Sequence, residues 1–502
     1  MARHLMTSAN KNMPGTGACN SRLRDVFQPE EECGIFGIFN HKDASEHTVL
    51  GLHALQHRGQ EAAGIVAYDG TRFNGHRASG LVGDNFNSEA VMQNLAGHQA
   101  LGHVRYSTTG ESALRNIQPL FADLSVGGLA IAHNGNLTNA LTLREELVNS
   151  GSIFQSTSDT EVIIHLVAIS PGHTVTQRLV HALMQIEGAY SIIAMTDDSL
   201  YGIRDPLGVR PLVLGRLEDN SLILSSETCA LDIIGAEFVR DIEPGEVVRI
   251  NADGIESISP FPNQPKKPCL FEYIYFARPD SQMEGLSVYD VRKKIGAELA
   301  RESACDGDIV IPIPDSGTPA AIGFAEEAGL PFDLGIIRNH YVGRTFIEPT
   351  SQIRNLGVRL KHNANRATIE GKRIILVDDS IVRGTTSVKI VSMMREAGAT
   401  EVHMRIASPP TTNPCFYGID TPEREELLAA QHDIEGMRKH IGADSLAYIS
   451  LDGLYRATGE ASRNNDEPQY CDACMTGQYP TRLTDKDGGN APWQLSLLTE
   501  RN

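Results

Sequence analysis

Residues 373–399 limit what this chain can fold into more than any other stretch. Five strand-like residues, Arg373 to Val377, end at Asp378-Asp379. A short turn, Ser380-Ile381-Val382-Arg383-Gly384, then leads into Thr385-Thr386-Ser387. Val388, Ile390, Val391 and Met394 recur on one face of the helix expected next, and Gly398 can stop it. A strand, a glycine turn and a helix start put backbone N–H groups and threonine hydroxyls where a phosphate dianion is stabilised. Gly384 lets the backbone approach that phosphate closely. Two carboxylates at the strand's carboxyl edge can hold ribose hydroxyls, or Mg2+ directly or through water. On the residues alone, a solvated acidic turn and a generic doubly wound nucleotide site remain alternatives.

The surrounding pattern agrees with such a unit. Ile309–Ile313, Gly335–Ile337, Arg373–Val377 and Glu401–Ala407 are short apolar strands, mostly alternating with helical stretches, the rhythm of a parallel α/β sheet. The first half reads differently. Strands are expected at Gly34–Phe39, Ala63–Tyr68, Leu129–Ala132, Ser191–Met195, Leu212–Leu214 and Ser221–Leu224, separated by turn residues. A helix over Ala44–His57 would put Leu50, Leu52 and Leu55 partly on one face. Asn251–Pro268, with four prolines, resembles a linker. At 502 residues the chain is too long for one ordinary core.

With 44 basic and 63 acidic residues, a net charge of −19 disfavours nucleic-acid or anionic-membrane binding as a main role, while a local basic patch can still hold a phosphate. No run approaches the ~18 apolar residues of a membrane helix. Residues 1–32 lack the apolar core of a secretory signal. Their Arg3, Lys11, Arg22 and Arg24, with no acid before Asp25, have the charge of a transit peptide, but Pro14, Gly15 and Gly17 interrupt an amphipathic helix. Met6 and Met13 are alternative starts. Eight cysteines in so long a chain do not form a secreted disulfide framework, so a cytoplasmic protein is expected.

Cys33 lies in Glu31-Glu32-Cys33-Gly34-Ile35-Phe36-Gly37. Alone it reads as a buried strand cysteine. Four further strings change that reading: Gln56-His57-Arg58-Gly59-Gln60, Gly102-His103-Val104-Arg105-Tyr106, Ala132-His133-Asn134-Gly135-Asn136 and Thr157-Ser158-Asp159-Thr160-Glu161. Together they resemble the class II, N-terminal-nucleophile glutamine amidotransferases. Val377 to Thr386 resembles the phosphoribosyl-pyrophosphate signature of the type I phosphoribosyltransferases. In order and detail the chain is similar, from Cys33 to about Cys474, to the family of glutamine phosphoribosylpyrophosphate amidotransferases.

That resemblance implies a layered α/β/β/α glutaminase domain followed by a parallel-sheet phosphoribosyltransferase domain, α+β and α/β in class. It implies a leader 1–32 removed on maturation, domains 33–262 and 263–470, and a tail 471–502. Cys33 would attack glutamine, using its freed α-amine as base. Asn134 and Gly135 would form the oxyanion hole, Arg105 would clamp the substrate carboxylate and Asp159 its ammonium. Arg383, Gly384, Thr385 and Thr386 would hold phosphoribosyl pyrophosphate, with Asp378, Asp379 and Ser316 as Mg2+ or ribose contacts. Pro312 to Thr318 would be the pyrophosphate loop. Tyr341 to Phe346, with Arg354, Arg359 and Lys361, would form a water-excluding lid. His340 and the long leader depart from the family pattern.

Ammonia would pass to the ribose C1 beside the aromatic segment Phe271–Phe276, with Tyr273 in its wall. Cys269, Cys415, Cys471 and Cys474 occupy the positions of a [4Fe–4S] ligand set in a family subset. Structural zinc has the same ligand count, and unligated core cysteines are the plain alternative. The resemblance further implies the first step of de novo purine synthesis, a homotetramer and inhibition by purine nucleotides. A sugar-phosphate aminating enzyme sharing only the first domain, and a non-catalytic sensor of phosphoribosyl pyrophosphate, are the rival readings.

Overall fold

Glu31–Phe39 is a strand, so its neighbouring large residues point to opposite faces, Ile35 to one and Phe36 to the other, both with no exposed surface. The computed structural model describes residues 31–107, 114–339 and 362–487. The leader up to residue 30, Cys19, His340, the Tyr341–Phe346 string, Arg354, Arg359 and Lys361 lie outside the described residues.

Glu31–Phe39 sits fourth in a seven-stranded antiparallel sheet. The order is Glu237–Asp241, Val213–Arg216, Leu222–Ser225, Glu31–Phe39, Gln99–Ser107, Ala62–Tyr68, Phe73–Ser79. A six-stranded antiparallel sheet runs Gly254–Ile258, Val247–Asn251, Ser199–Arg204, Gly188–Met195, Gly127–Leu137, Leu120–Leu124. The two sheets face each other through Ile35, Leu101, Ala132, Ile193 and Leu200. Helix Ala44–Ala54 covers the outer face of the first sheet, where Leu52 packs on Phe36 and Val104. Helices Ala140–Asn149, Thr160–Ile169 and Val175–Leu183 cover the second through Leu143, Ile163 and Leu179. Gly188–Met195 is buried along its whole length, which explains its unbroken apolar reading. This is the expected α/β/β/α stack.

From Ile309 a four-stranded parallel sheet follows, in the order Ile309–Pro312, Arg373–Asp378, Glu401–Ile406, Ser445–Tyr448. Val288–Glu302 and Thr318–Ala328 pack on one face through Val291, Ile295 and Phe324. Thr385–Glu396 and Ile434–Ile441 pack on the other through Ile390, Met394 and Met437. Among the described residues no helix is long and apolar enough to cross a membrane.

Some expectations need correction. Leu50 is 44% exposed while Leu52 and Leu55 are buried, so the face of the first helix is narrower than the leucines suggest. The linker is shorter than Asn251–Pro268, because Gly254–Ile258 is an edge strand paired with Val247–Asn251. Ile255, Glu256 and Ser257 are all exposed, so no alternation of apolar and polar positions marks the strand in the sequence. Ile336–Arg338 does not join the parallel sheet but pairs antiparallel with His362–Ala364. Tyr273 is placed in the core, away from solvent. It is fully buried and its hydroxyl donates to the Met283 carbonyl at 2.9 Å, whereas Tyr275 is the more exposed ring.

Candidate active site

Cys33 stands opposite Arg105 in the register between Glu31–Phe39 and Gln99–Ser107, so the two side chains share one face of the sheet. Cys33 is fully buried, and Glu31 and Glu32 continue the same pairing, opposite Ser107 and Tyr106. Asn134 lies on a strand of the facing sheet, with no exposed surface. Its Nδ2 donates to Ser226 Oγ at 3.5 Å, and the Ile35 N–H donates to the same oxygen at 3.0 Å. Ser226 thus ties the cysteine strand to Asn134, a role no sequence string pointed to. Gly135 has φ +138°, and a Cβ there would sit 2.1 Å from the Ala189 carbonyl oxygen, so only glycine can present its N–H at this point.

Asp159 precedes helix Thr160–Ile169 and is 5% exposed. The Leu137 N–H donates to its Oδ2 at 3.0 Å, and His133 Nδ1 lies 3.5 Å from Oδ1. Burial pushes this carboxyl up, but His133 and the Leu137 and Thr160 N–H groups outweigh burial and hold it below the usual carboxylate range. His103 beside His133 is fully buried, and burial, with Arg105 and His133, lowers its pKa to about 3.

The principal residue that motif reading left without a role is Arg58. Fully buried, it donates from Nε to the Cys33 carbonyl at 3.1 Å. Its Nη1 pairs with Glu227, and its Nη2 donates to Glu272 Oε1 at 2.6 Å. Glu272 belongs to a single π-helical turn, Glu272–Phe276, at the start of the second half, and it also pairs with buried Arg210. Phe276 lies 4.2 Å under the Arg58 guanidinium. Burial pushes the Glu227 carboxyl up, but His57 and Arg58 prevail and hold it well below its ordinary value. The partners are 169 and 214 residues from Arg58, beyond any local pattern.

At the other end, Asp378 closes its strand and Asp379 follows it into the turn, both nearly fully buried. The Asp379 N–H donates to Asp378 Oδ1 at 3.0 Å, and Ser380 Oγ donates to Asp379 Oδ1 at 2.7 Å. Burial and then the neighbouring Asp379 push the Asp378 carboxyl well up. Burial also raises Asp379, against hydrogen bonds from Ser316 and Ser380 and the charge of Arg292. Ser316 thus reaches Asp379 with its side chain. Two buried carboxyls and a hydroxyl suit Mg2+, which keeps several waters. Gly384 has φ +75° at the start of helix Thr385–Glu396, where Thr385 and Thr386 are exposed. Arg383 is turned to Glu426, donating from Nε at 2.8 Å.

Cys269, Cys415, Cys471 and Cys474 line one cavity with Phe271 and Tyr417. Cys269 and Cys471 form a parallel β-bridge, which brings the tail to the start of the second half. Burial raises all four thiols, Cys415 to about 11, and neighbouring sulfurs add to the effect at Cys415, Cys471 and Cys474. Thiols that raise one another in this way suit a group that takes up thiolates. Among the described residues no three ligands gather as a single ion requires. Asp472, between the paired cysteines, is fixed by Arg463 Nε at 2.6 Å and the Tyr455 hydroxyl at 2.8 Å.

A family model described as a glutamine amidotransferase domain matches residues 103–232. The chain is 60% identical over 474 residues to the amidophosphoribosyltransferase of Rhizobium etli, covering 93% of this chain and 95% of that one. It is 49% identical over 462 residues to the Bacillus subtilis amidophosphoribosyltransferase, covering 92% and 96%. Among solved structures, a B. subtilis glutamine phosphoribosylpyrophosphate amidotransferase complexed with ADP and GMP superimposes with TM-score 0.85 at 48% identity. That match covers 90% of this chain and 98% of the other.

Proposed function

The chain belongs to the amidophosphoribosyltransferase family, and from that premise we propose how its residues divide the work. The enzyme takes nitrogen from glutamine and delivers it to 5-phosphoribosyl 1-pyrophosphate. Glutamine, water and that sugar phosphate give 5-phosphoribosylamine, glutamate and pyrophosphate, the first step of de novo purine synthesis.

Residues 33–262 form the glutaminase domain and 263–470 the phosphoribosyltransferase domain, with 471–502 as tail. Removal of residues 1–32 turns the Cys33 nitrogen from a ladder amide into an α-amine with an ordinary pKa of about 7.7–8.0. That amine takes the Sγ proton, and the thiolate attacks the glutamine side-chain carbonyl. Asn134 Nδ2 and the Gly135 N–H receive the developing oxyanion, each such donor contributing about 3 kcal/mol in the transition state. The ammonium returns its proton to the leaving nitrogen, and water then cleaves the thioester to glutamate. Arg105 holds the substrate carboxylate and Asp159, kept ionised by His133, holds its ammonium. The single observation that carries this reading is the register of Cys33 against Arg105, with Asn134 tied to the same strand through Ser226.

At the second site, the first turn of Thr385–Glu396 with Gly384 and Arg383 takes the 5-phosphate, and Asp378 and Asp379 take the ribose hydroxyls or the cation. Asp378, Asp379 and Ser316 would hold Mg2+, which would supply neutralising charge to the leaving pyrophosphate. Cys269, Cys415, Cys471 and Cys474 hold a [4Fe–4S] cluster that pins the tail. The B. subtilis complex with ADP and GMP supports purine nucleotides as inhibitors. A cytoplasmic homotetramer completes the reading.

The test is Cys33→Ala. Glutamine-dependent pyrophosphate release is expected to vanish while ammonia-dependent release persists, and mass spectrometry is expected to find a mature chain beginning at Cys33. Glutamine turnover by the variant would remove Cys33 from its role.

A further inference from the structure

We propose that the tail segment 479–487 is a strap that positions the glutamine-binding end of strand Gly127–Leu137, with Asp485 as its positioning residue. This rests on the reading of Asn134, Gly135 and Asp159 above.

Helix Ala140–Asn149 starts three residues after that strand, preceded by Asn139. An asparagine there would ordinarily cap the helix. Asn139 does not, because its side chain serves another segment: Nδ2 donates to the Gln185 carbonyl at 2.9 Å, and Oδ1 accepts the Glu187 N–H at 2.9 Å. The first-turn donors need another acceptor. Asp485, more than three hundred residues downstream, provides it. Its Oδ2 accepts the Leu141 N–H at 2.8 Å, and its Oδ1 accepts the Thr142 N–H at 2.9 Å and the Thr142 hydroxyl at 2.8 Å. Its own N–H donates to the Thr138 carbonyl at 3.0 Å. A carboxylate at this end also meets the positive pole of the helix.

The same tail is fastened to the second half of the molecule. The Tyr479 hydroxyl donates to the Pro414 carbonyl at 2.6 Å, and the Thr481 N–H donates to the Tyr417 hydroxyl at 3.1 Å. Lys486 Nζ lies 4.5 Å over the Phe416 ring. Phe416 closes the circuit, since its carbonyl accepts Asn136 Nδ2 at 3.0 Å. Strand end, Phe416 segment and tail therefore form one ring of contacts. The groups it flanks are Asn134 and Gly135 on one side, and the Leu137 N–H that orients Asp159 on the other. Small misplacements of such groups cost catalysis far more than they cost stability.

The experiment compares Asp485→Ala and Asp485→Asn in the full-length, cluster-loaded enzyme, measuring kcat and KM with glutamine and separately with ammonia. Asp485→Ala is expected to raise the glutamine KM about fivefold, the fold-change a lost helix cap corresponds to, with ammonia kinetics unchanged. Asp485→Asn keeps one acceptor oxygen and should lose less. A wild-type glutamine KM in Asp485→Ala, or glutamine and ammonia rates falling together, would overturn the strap. Cys33→Ala in the same assay separates the two failures: glutamine turnover there refutes the active-site reading, whereas its loss beside an unaffected Asp485→Ala refutes the strap alone.

Discussion

Around Cys33 the buried guanidinium of Arg58 meets Glu227 and Glu272, whereas at the other end Asp378 and Asp379 lie side by side, and burial with Asp379 pushes Asp378 toward the protonated form. Both places are nearly dry, so the difference is not one of solvent. It lies in where the compensating charge comes from. Near the nucleophile the chain provides both signs, and burial holds them in a fixed geometry before substrate arrives. At the phosphoribosyl end the acids among the described residues have mainly their own sign around them, with Arg292 a partial offset for Asp379, and the balance is left to a cation and a substrate. A site that cuts an amide must be assembled in advance, while one that binds a polyanion with its metal can be completed by them.

The largest expected effect tests the first half of this contrast. Glu272→Ala removes one carboxylate from two buried arginines, Arg58 and Arg210. Breaking a buried pair from one side costs about 3–5 kcal/mol, which denaturant unfolding would read directly. Because Arg58 also holds the Cys33 carbonyl, glutamine-dependent turnover should fall more than ammonia-dependent turnover. A loss below about 1 kcal/mol, the range of exposed pairs, would mean the cluster is not the closed charge system described.

How far the sequence could show this follows from the distances involved. The Arg373–Asp378 strand, its turn and its helix were legible because every residue needed lies within one short unit. Cys33, Arg105, Asn134 and Asp159 were recognisable only as family strings, since no period or spacing predicts that they meet. Arg58 stood in one of those strings without a role, because its carboxylates come from distant strand ends and a helix in the second half. Asp485 gave no signal at all, as it lies in a polar stretch and caps a helix whose own Asn139 looks sufficient. Gly254–Ile258 was missed because an edge strand with little burial has a weak pattern, whereas the strand at Ile336–Arg338 was legible and only its partner, His362–Ala364, was not.

A smaller effect of opposite sign is expected at the second site. The ordinary carboxyl pKa is about 3.9, and in the folded cation-free chain Asp378 is raised well above it. Below the ordinary value, folded and unfolded chains both hold the proton. Between it and the raised value only the folded chain does, so stability declines as pH rises through that window. Asp378→Asn removes the ionisation and should flatten the decline, stabilising the cation-free protein by about 1 kcal/mol at neutral pH. Phosphoribosyl transfer should nevertheless fall about 100-fold, and added Mg2+ should stabilise the wild type but not the variant. Thermal unfolding across pH, with chelator and with Mg2+, would read all of this; an Asp378→Asn protein less stable than wild type under chelator would show that the acids are compensated after all.

The smallest stability effect belongs to Arg383 and Glu426, which pair at 2.8 Å with side chains 55% and 57% exposed. A pair so open to water contributes below about 0.5 kcal/mol, so neither Arg383→Ala nor Glu426→Ala should move the unfolding midpoint measurably. Kinetically the two should part. Glu426 occupies the guanidinium that the sugar phosphate needs, so Glu426→Ala is expected to lower the KM for phosphoribosyl pyrophosphate about twofold, while Arg383→Ala raises it about tenfold. Opposite shifts in KM at constant stability are what a placeholder carboxylate predicts. If Glu426→Ala instead destabilised the fold by more than about 1 kcal/mol, the phosphoribosyl end would be internally paired like the Cys33 end, and the contrast between the two sites would not hold.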